Sequence, residues 1–457
     1  MAERTPELVA TAVKMLPPRA DASIVLGEER YEEDDVFLDL LQHGRVLGPQ
    51  GEEAMAVGRW EMAWRAAPLQ IHDAGLVRAV DAIDPSLALM HDDISTAAIG
   101  PVLEQHPGPV ASIRVEASGG IFSPEIIDAW LNHLEGKEAG KRGLGELILI
   151  NTAEPPTDMP FPLRRLPGGL RSLTVGFFAL RPLDAAHLSS SLSELRITGC
   201  SFNGRELQEA IGRLHGLTTL VLGACRLTSG CSPGGLRLVS NSLVHLQMWS
   251  CKASAEIQLL YTPRLACLCT GVHPSDGRSL RIDLRTPVAL RELHGLMMYC
   301  HCLSYITPFK EKLGTRRIAP LPNLSTLRVC MQMSTRSQAM DLLDLLRHLP
   351  CLTSLILTRV DGTHPAELEE MAHAQDELFQ IPCIADSLRL LGLKSFRGGA
   401  AEIYFATHVL AAARELSSLV LYPHTTLPIE AAAQAATPLH TCARASLKVT
   451  LLLFPDD

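Results

Sequence analysis

One spacing dominates this sequence: a Leu, a second Leu three residues on, and an apolar residue two beyond that. It occurs as Leu170-Leu173-Val175, Leu192-Leu195-Ile197, Leu217-Leu220-Leu222 and Leu243-Leu246-Met248. It returns as Leu324-Leu327-Val329, Leu352-Leu355-Leu357, Leu388-Leu391-Leu393 and Leu416-Leu419-Leu421. Shorter copies, read as Leu265-Leu268 and Leu290-Leu293, lack the third apolar residue. The first four copies start 22, 25 and 26 residues apart, and later intervals of 28 to 36 imply insertions. A unit this small cannot bury its own apolar face, so neighbouring units must stack. Composition agrees: 74 of the 457 residues are Leu, whereas aromatic residues make up only 5%. A compact core mixes aromatics with aliphatics to fill irregular space, so the imbalance points to one small unit repeated many times.

The pattern is the leucine-rich repeat signature. It predicts an α/β solenoid with parallel strands on a concave face and helices or irregular returns outside. Segments 202–214 and 336–349 read as return helices, the first placing Leu207, Ile211 and Leu214 three to four residues apart. Cys200, Cys225 and Cys251 each fall eight residues after a repeat's first Leu, where the repeat takes Asn or Cys to turn the chain out of the strand. A structural role follows for these three. The pairs Cys267-x-Cys269 and Cys300-His301-Cys302 are the only cysteine groupings that bring zinc to mind. Their C-x-C spacing is not the usual one for a zinc site, so buried or half-buried thiols and no metal are expected.

Charge and motifs exclude further classes. The net charge is −9 and the pI about 6.0, which argues against nucleic acid or a membrane surface as partner. No stretch approaches the roughly 18 apolar residues of a transmembrane helix. Glu3, Arg4 and Glu7 interrupt the N-terminus, so no secretory signal is expected. Twelve Cys without such a signal read as reduced thiols of the cytoplasm or nucleus. The sequence holds no G-x-x-x-x-G-K-[ST], G-x-S-x-G or H-E-x-x-H. No catalytic residues, no cofactor and no enzymatic activity are expected.

The first 145 residues carry no clean repeat. Leu8, Val9, Ala12, Val13 and Leu16 share one side of a short helix that Pro17-Pro18 ends. An acidic run, Glu28 to Asp35, reads as a solvated loop or as a docking site for a basic partner. Trp60 and Trp64, four apart, share a helix face.

These features resemble the plant F-box proteins that carry leucine-rich repeats and a C-terminal FBD region. Pro6-Glu7-Leu8-Val9 through Met15-Leu16-Pro17 is similar to the opening F-box helix. Gly58-Arg59-Trp60, Trp64 and Ala67-Pro68-Leu69 are similar to its end. Residues 25–56 do not match, so the F-box looks degenerate or interrupted. Ile94 to Val115 looks like the family's linker into the repeats, and Asp128-Ala129-Trp130-Leu131 with Leu144 to Asn151 looks like its first repeat. Ser387 to Leu421 resembles the FBD pattern: a strand, Phe396 and Gly398 at a turn, Glu402 opening a helix, and a closing strand.

The resemblance implies three regions. Residues 1–80 form a small helical F-box-like head with an acidic insertion at about 25–56, residues 81–386 the repeats, and residues 387–457 FBD-like repeats and cap. It also implies a substrate-recruiting subunit of an SCF-type ubiquitin ligase. Leu8, Val9, Leu16, Pro17, Trp60 and Trp64 would bind a Skp-type adaptor, and through it the cullin ligase. The repeat surface would hold a protein substrate. The alternative is an interaction scaffold that no longer binds the adaptor.

Strand side chains alternate, so residues between the pattern positions face the concave side: Glu194, Arg196 and Thr198; His245, Gln247 and Trp249; Thr326, Arg328 and Cys330. An exposed Trp beside His and Gln has the composition of a binding hot spot, unless a loop or neighbouring repeat covers it. Arg196 and Arg328 face either solvent or an acidic segment of a substrate.

Overall fold

The computed structural model describes residues 24–26, 69–72, 110–117, 122, 124–136, 144–151, 167–179, 191–228, 236–249, 251–253, 257–271, 282–283, 293–299, 321–331, 336–359 and 381–454. The chain divides into two compact units, Met1–Cys231 and Ser232–Asp457.

In the first unit, parallel strands follow one another in chain order: β1 (Ile24–Leu26), β2 (Leu69–His72), β3 (Ser112–Ala117), β4 (Glu146–Asn151), β5 (Ser172–Gly176) and β6 (Glu194–Thr198). A short β7 (Ser201–Asn203) leaves this sheet, and β8 (Thr219–Gly223) then pairs with β6. Register aligns the repeated apolar positions, as in Ile113↔Leu147, Leu147↔Leu173, Leu173↔Leu195 and Leu195↔Leu220. All of these are buried. A slip of one residue would turn the whole row to the other face, so the Leu pattern itself fixes the pairing.

The repeat ladder reaches further towards the N-terminus than the sequence suggested. Val110-Ile113-Val115 occupies the pattern positions with β-branched residues, all buried, and β3 pairs along its length with β4. The stretch read as a linker into the repeats therefore ends in a repeat strand; Val and Ile replaced Leu and hid the match. Strands β1 and β2, within residues 1–80, extend the same parallel ladder onto β3. The helices expected over residues 5–17 and around Trp60 and Trp64 lie outside the described residues.

The second unit repeats the scheme. Its main sheet runs β11 (His245–Trp249), β14 (Cys267–Gly271), β16 (Gly295–Tyr299), β17 (Thr326–Met331), β18 (Ser354–Arg359), β19 (Leu390–Phe396), β20 (Ser418–Pro423) and β21 (Thr450–Leu453). The short β12 (Lys252–Ala253) follows β11. A second, small parallel sheet joins β10 (Arg237–Val239), β13 (Ile257–Tyr261) and β15 (Ile282–Asp283). Strands β14 and β16 stay in register with β11 and β17, so the described strands between Leu265 and Pro322 continue the spine of the repeats. One frame needs correction. The buried pair at β16 is Leu293, just before the strand, and Leu296 within it, with Met298 in the third position, not Leu290-Leu293. Two Leu triplets overlap in that segment, and only the ladder with β14 chooses between them.

Return segments take several forms. α1 (Pro124–Gly136) lies between β3 and β4 and buries Ile127, Trp130 and Leu131. α2 (Gly204–Arg213) matches the helix read from sequence: Asn203 caps it by accepting from the Arg205 N–H, and Leu207, Ile211 and Leu214 are buried. In the first unit, β7 pairs with β9 (Arg226–Thr228) behind the main sheet. α3 (Arg336–Leu346) separates β17 from β18, and α4 (Pro382–Asp386) precedes β19. α5 (Ala400–Ala412) links β19 to β20, and α6 (Ile429–Ala435) and α7 (Thr437–Thr441) link β20 to β21. Among the described residues no helix is long and apolar enough to cross a membrane.

Three devices recur at fixed positions in the repeat. Entering each strand, one carbonyl of the preceding repeat accepts two successive amides. Gly145 O takes Arg171 and Ser172 N–H, Arg171 O takes Ser193 and Glu194, Ser325 O takes Thr353 and Ser354, and Arg389 O takes Ser417 and Ser418. Ser193 O likewise takes Thr218 and Thr219 N–H, and the hydroxyls of Ser193, Thr218, Thr353 and Ser417 donate to the carbonyls that take their own amides, which explains the Ser and Thr found there.

Leaving the strand, the residue seven after the first Leu takes a left-handed conformation: Phe177 (φ 63°), Gly199 (φ 63°), Ala224 (φ 48°) and Ser395 (φ 53°). At Gly199 a Cβ would lie 2.5 Å from the Phe177 ring, so that site admits only glycine.

The next position fills a buried slot. The Cys200 thiol reaches the Thr198 and Val175 carbonyls at 3.3 and 3.6 Å, and Cys225 reaches Ile197 and Gly223 at 3.2 and 3.3 Å. Each thus serves a carbonyl of its own repeat and one of the preceding repeat. Cys251 reaches the Trp249 carbonyl at 3.5 Å. Phe178 and Phe396 occupy the equivalent slot and are fully buried.

The FBD-like turn is formed as the sequence suggested. Gly398 has φ 70°, and a Cβ there would lie 2.2 Å from the Ala435 Cβ. Glu402 stands in the first turn of α5 and is buried; its carboxylate accepts from Gly399 N–H at 2.7 Å, Arg397 N–H at 3.2 Å and the Arg359 guanidinium at 3.1 Å. One carboxylate thereby joins β18, the turn and the helix.

Candidate functional site

Because the pattern Leu point to the core, alternate strand residues build the opposite sheet face. In the first unit this face is largely used up. Ile148 and Ile150 pack there against Phe177, with Ala224 beside them. The left-handed turn at Phe177 is what swings its ring over the sheet. Arg114 and Glu116 form a buried ion pair on β3, and Thr174 and Thr198 are also buried. Of the residues proposed from sequence, Glu194 and Arg196 are half-buried and pair with each other on β6. Arg196 is therefore already neutralised.

The second unit is different. One row in register runs Gln247, Cys269, Met297, Arg328, Ile356, Gly392, Val420, Leu452. The row on one side begins with His245 and Cys267, and the row on the other side with Trp249. The middle row is the floor: Cys269 is 5% exposed, Ile356 9% and Val420 6%. Gln247 and Arg328 of this row are half-buried, and the outer rows are mostly more exposed than the floor, Cys330 at 8% excepted. His245 is exposed, and Cys267, Trp249, Thr358, Lys394 and Tyr422 are half-buried. His245, Gln247, Trp249 and Arg328 thus share one face. Gln247 and Arg328 lie three strand spacings apart, about 14 Å. Trp249 is half-buried rather than fully exposed, so its ring forms part of the wall.

Sequence reasoning missed the C-terminal half of this face. Lys394 Nζ sits 4.9 Å from the centroid of the Tyr422 ring, a cation–π contact. Tyr422 packs at 6.3 Å against Phe454, which is exposed. Ile356 leans over Gly392, where an added Cβ would lie 3.2 Å from its side chain. The phase of the Leu pattern marks all these positions as outward. What no spacing reveals is which of them lack a partner.

No Asp or Glu stands in these three rows. Among the described residues no hydrogen bond or ion pair reaches the Arg328 side chain, and its Nε–H is a buried donor without an acceptor. The thiols nearby do not neutralise it. Burial pushes Cys269 up to about 12, with the neighbouring Cys267 adding to the rise and Arg328 opposing it; Cys267 is raised by burial too. Both stay protonated at neutral pH. Among the described residues no group of three His, Cys, Asp or Glu could hold a metal. Cys300, His301 and Cys302 lie outside the described residues.

A comparison with protein families matches residues 127–357, half of the chain, to FBD-associated F-box protein At5g56370, LRR repeats. The chain belongs to this family. Membership accounts for the stacked parallel strands within the matched residues. Repeats of this family suit protein interaction, and the polar and aromatic face of the second unit fits that role. Leu8, Val9, Leu16, Pro17, Trp60 and Trp64, the residues that resemble an adaptor-binding F-box, lie outside the described residues. No curated protein matches the chain.

Proposed function

We propose that the protein is a substrate-recruiting subunit of an SCF-type ubiquitin ligase. Its N-terminal segment, through Leu8, Val9, Leu16, Pro17, Trp60 and Trp64, binds a Skp-type adaptor and so the cullin ligase. Its repeats hold a protein substrate. The observation that carries this reading is membership, over residues 127–357, in a family of repeats from F-box proteins. In this reading the protein makes and breaks no bonds. It raises the effective concentration of substrate beside the ligating machinery, needs no cofactor, and works in the cytoplasm or nucleus.

The test is reconstitution. The full chain mixed with a Skp-type adaptor should elute as a stable complex, and Trp60→Ala with Trp64→Ala should abolish it. No complex, with a control F-box protein binding normally, rules the reading out.

A second reading is an interaction scaffold that does not engage the adaptor. It is favoured by β1 and β2, which place Ile24–Leu26 and Leu69–His72 in the repeat ladder. Part of the F-box-like region is thereby committed to the repeats. The same reconstitution separates the two.

A further inference from the structure

Arg328 stands on the floor row of the second unit's sheet face, between Met297 and Ile356 in register. A guanidinium held among half-buried neighbours needs acceptors, because an unpaired buried donor forfeits the hydrogen bonds it makes with water. The surrounding rows offer none of the usual partners. They hold no carboxylate, and Cys267 and Cys269 remain neutral thiols. This occurs in a chain of net charge −9, where acidic residues outnumber basic ones yet avoid this face. Arg196, the corresponding residue of the first unit, shows the contrast: Glu194, two residues away on its own strand, supplies the carboxylate.

We propose that this face is a docking groove for an extended acidic segment of a partner protein, one of whose Asp or Glu carboxylates pairs with Arg328. The proposal rests on the reading that the repeats hold a protein substrate, and it names the chemistry of the segment they take. A carboxylate over Arg328 satisfies the orphaned Nε–H and makes a charge-assisted bond in a partly desolvated setting, where such bonds are strong. Apolar side chains flanking that carboxylate meet Ile356 and Val420 on the floor. The Tyr422 ring, with Lys394 stacked against it, closes one wall.

The test uses the full chain and a fluorescein-labelled acidic peptide of Asp, Leu, Ser and Gly, with a counterpart in which Asn replaces every Asp. Anisotropy should show the Asp peptide binding at least ~10-fold more tightly than the Asn peptide, and more weakly as salt rises. Arg328→Gln should reduce binding of the Asp peptide to the level of the Asn peptide without lowering the melting temperature. Arg328→Lys, which keeps the charge but loses the fork, should fall between. It also serves as the readout if the Gln variant fails to fold. Arg196→Gln should leave binding unchanged. Equal affinity for the two peptides, no binding of either, or an unchanged affinity in both Arg328 variants overturns the proposal. Adaptor binding, measured separately on the same protein, reports on the ubiquitin-ligase reading, so failure of the groove is distinguishable from failure of that reading.

Discussion

Glu402 carries a sharp and measurable prediction. Its carboxylate is almost completely buried and accepts from the amides of Gly399 and Arg397 and from the Arg359 guanidinium, itself 30% exposed. Glu402→Ala leaves two half-buried amide donors without their acceptor and takes the carboxylate from Arg359. Because Arg359 is partly exposed, the cost falls below the full penalty of an unpaired buried charge, at about 2–3 kcal/mol. Glu402→Gln behaves differently, because burial, the largest influence, pushes the carboxyl above its usual range despite the opposing pull of Gly399, Arg359 and Arg397. Ionised Glu402 is thus bound less well than neutral Glu402, and Gln is neutral with an oxygen that still accepts from an amide. The cost should be about 1–2 kcal/mol. The pH dependence has a definite sign. The folded state holds this proton more tightly than the unfolded state, so the site's contribution is fully present below the ordinary carboxylate value. It is lost as pH rises through the raised one. The advantage of wild type over Glu402→Gln should therefore shrink as pH rises above the ordinary carboxylate range. Hydrogen exchange of the amides in β19 and α5 is the local assay. At neutral pH, Glu402→Ala should speed exchange about thirty- to a hundred-and-fifty-fold and Glu402→Gln about five- to thirty-fold. Equal acceleration by the two variants, or an advantage that grows with pH, would exclude this role for the Glu402 carboxyl.

Three further outcomes follow from the repeat geometry. Gly199→Ala combines a left-handed backbone with a Cβ 2.5 Å from the Phe177 ring and should destabilise by about 2–3 kcal/mol in urea unfolding; a loss under 0.5 kcal/mol would show that the turn relaxes freely. Cys225→Ala removes a buried thiol that reaches two carbonyls and should cost about 1–2 kcal/mol, whereas Cys225→Asn, the other residue the repeat takes there, should cost less; the reverse order of melting temperatures would exclude the slot mechanism. Burial pushes Cys383 up to about 12 while Cys351 is exposed, so mass mapping after iodoacetamide at mildly alkaline pH should find Cys351 alkylated well before Cys383 and Cys269, and equal labelling would contradict the buried placement.

The Leu spacing alone determined the class of fold, because a short unit with one apolar edge has no stable arrangement except stacking with its own kind. The slot residues Cys200, Cys225 and Cys251, the return helix over residues 204–213, and the turn of Phe396, Gly398 and Glu402 were legible for the same reason: each is a local rule tied to a fixed offset from the repeat. Where the local rule was ambiguous, tertiary pairing decided. Register with β14 chose Leu293 over Leu290 as the start of its repeat, and the ladder with β4 revealed β3 behind Val and Ile.

The binding face was only half legible. Alternation along each strand named Arg196 and Arg328 as equivalent outward cations, and nothing in their spacing separates them. The folded chain does. It gives Arg196 the carboxylate of Glu194, buries much of the first unit's face beneath Phe177, and leaves Arg328 in a carboxylate-free row. Periodicity fixes which way a side chain points, because that is a property of the strand. Whether it finds a partner there depends on neighbours brought alongside from other strands, and only the tertiary structure sets those.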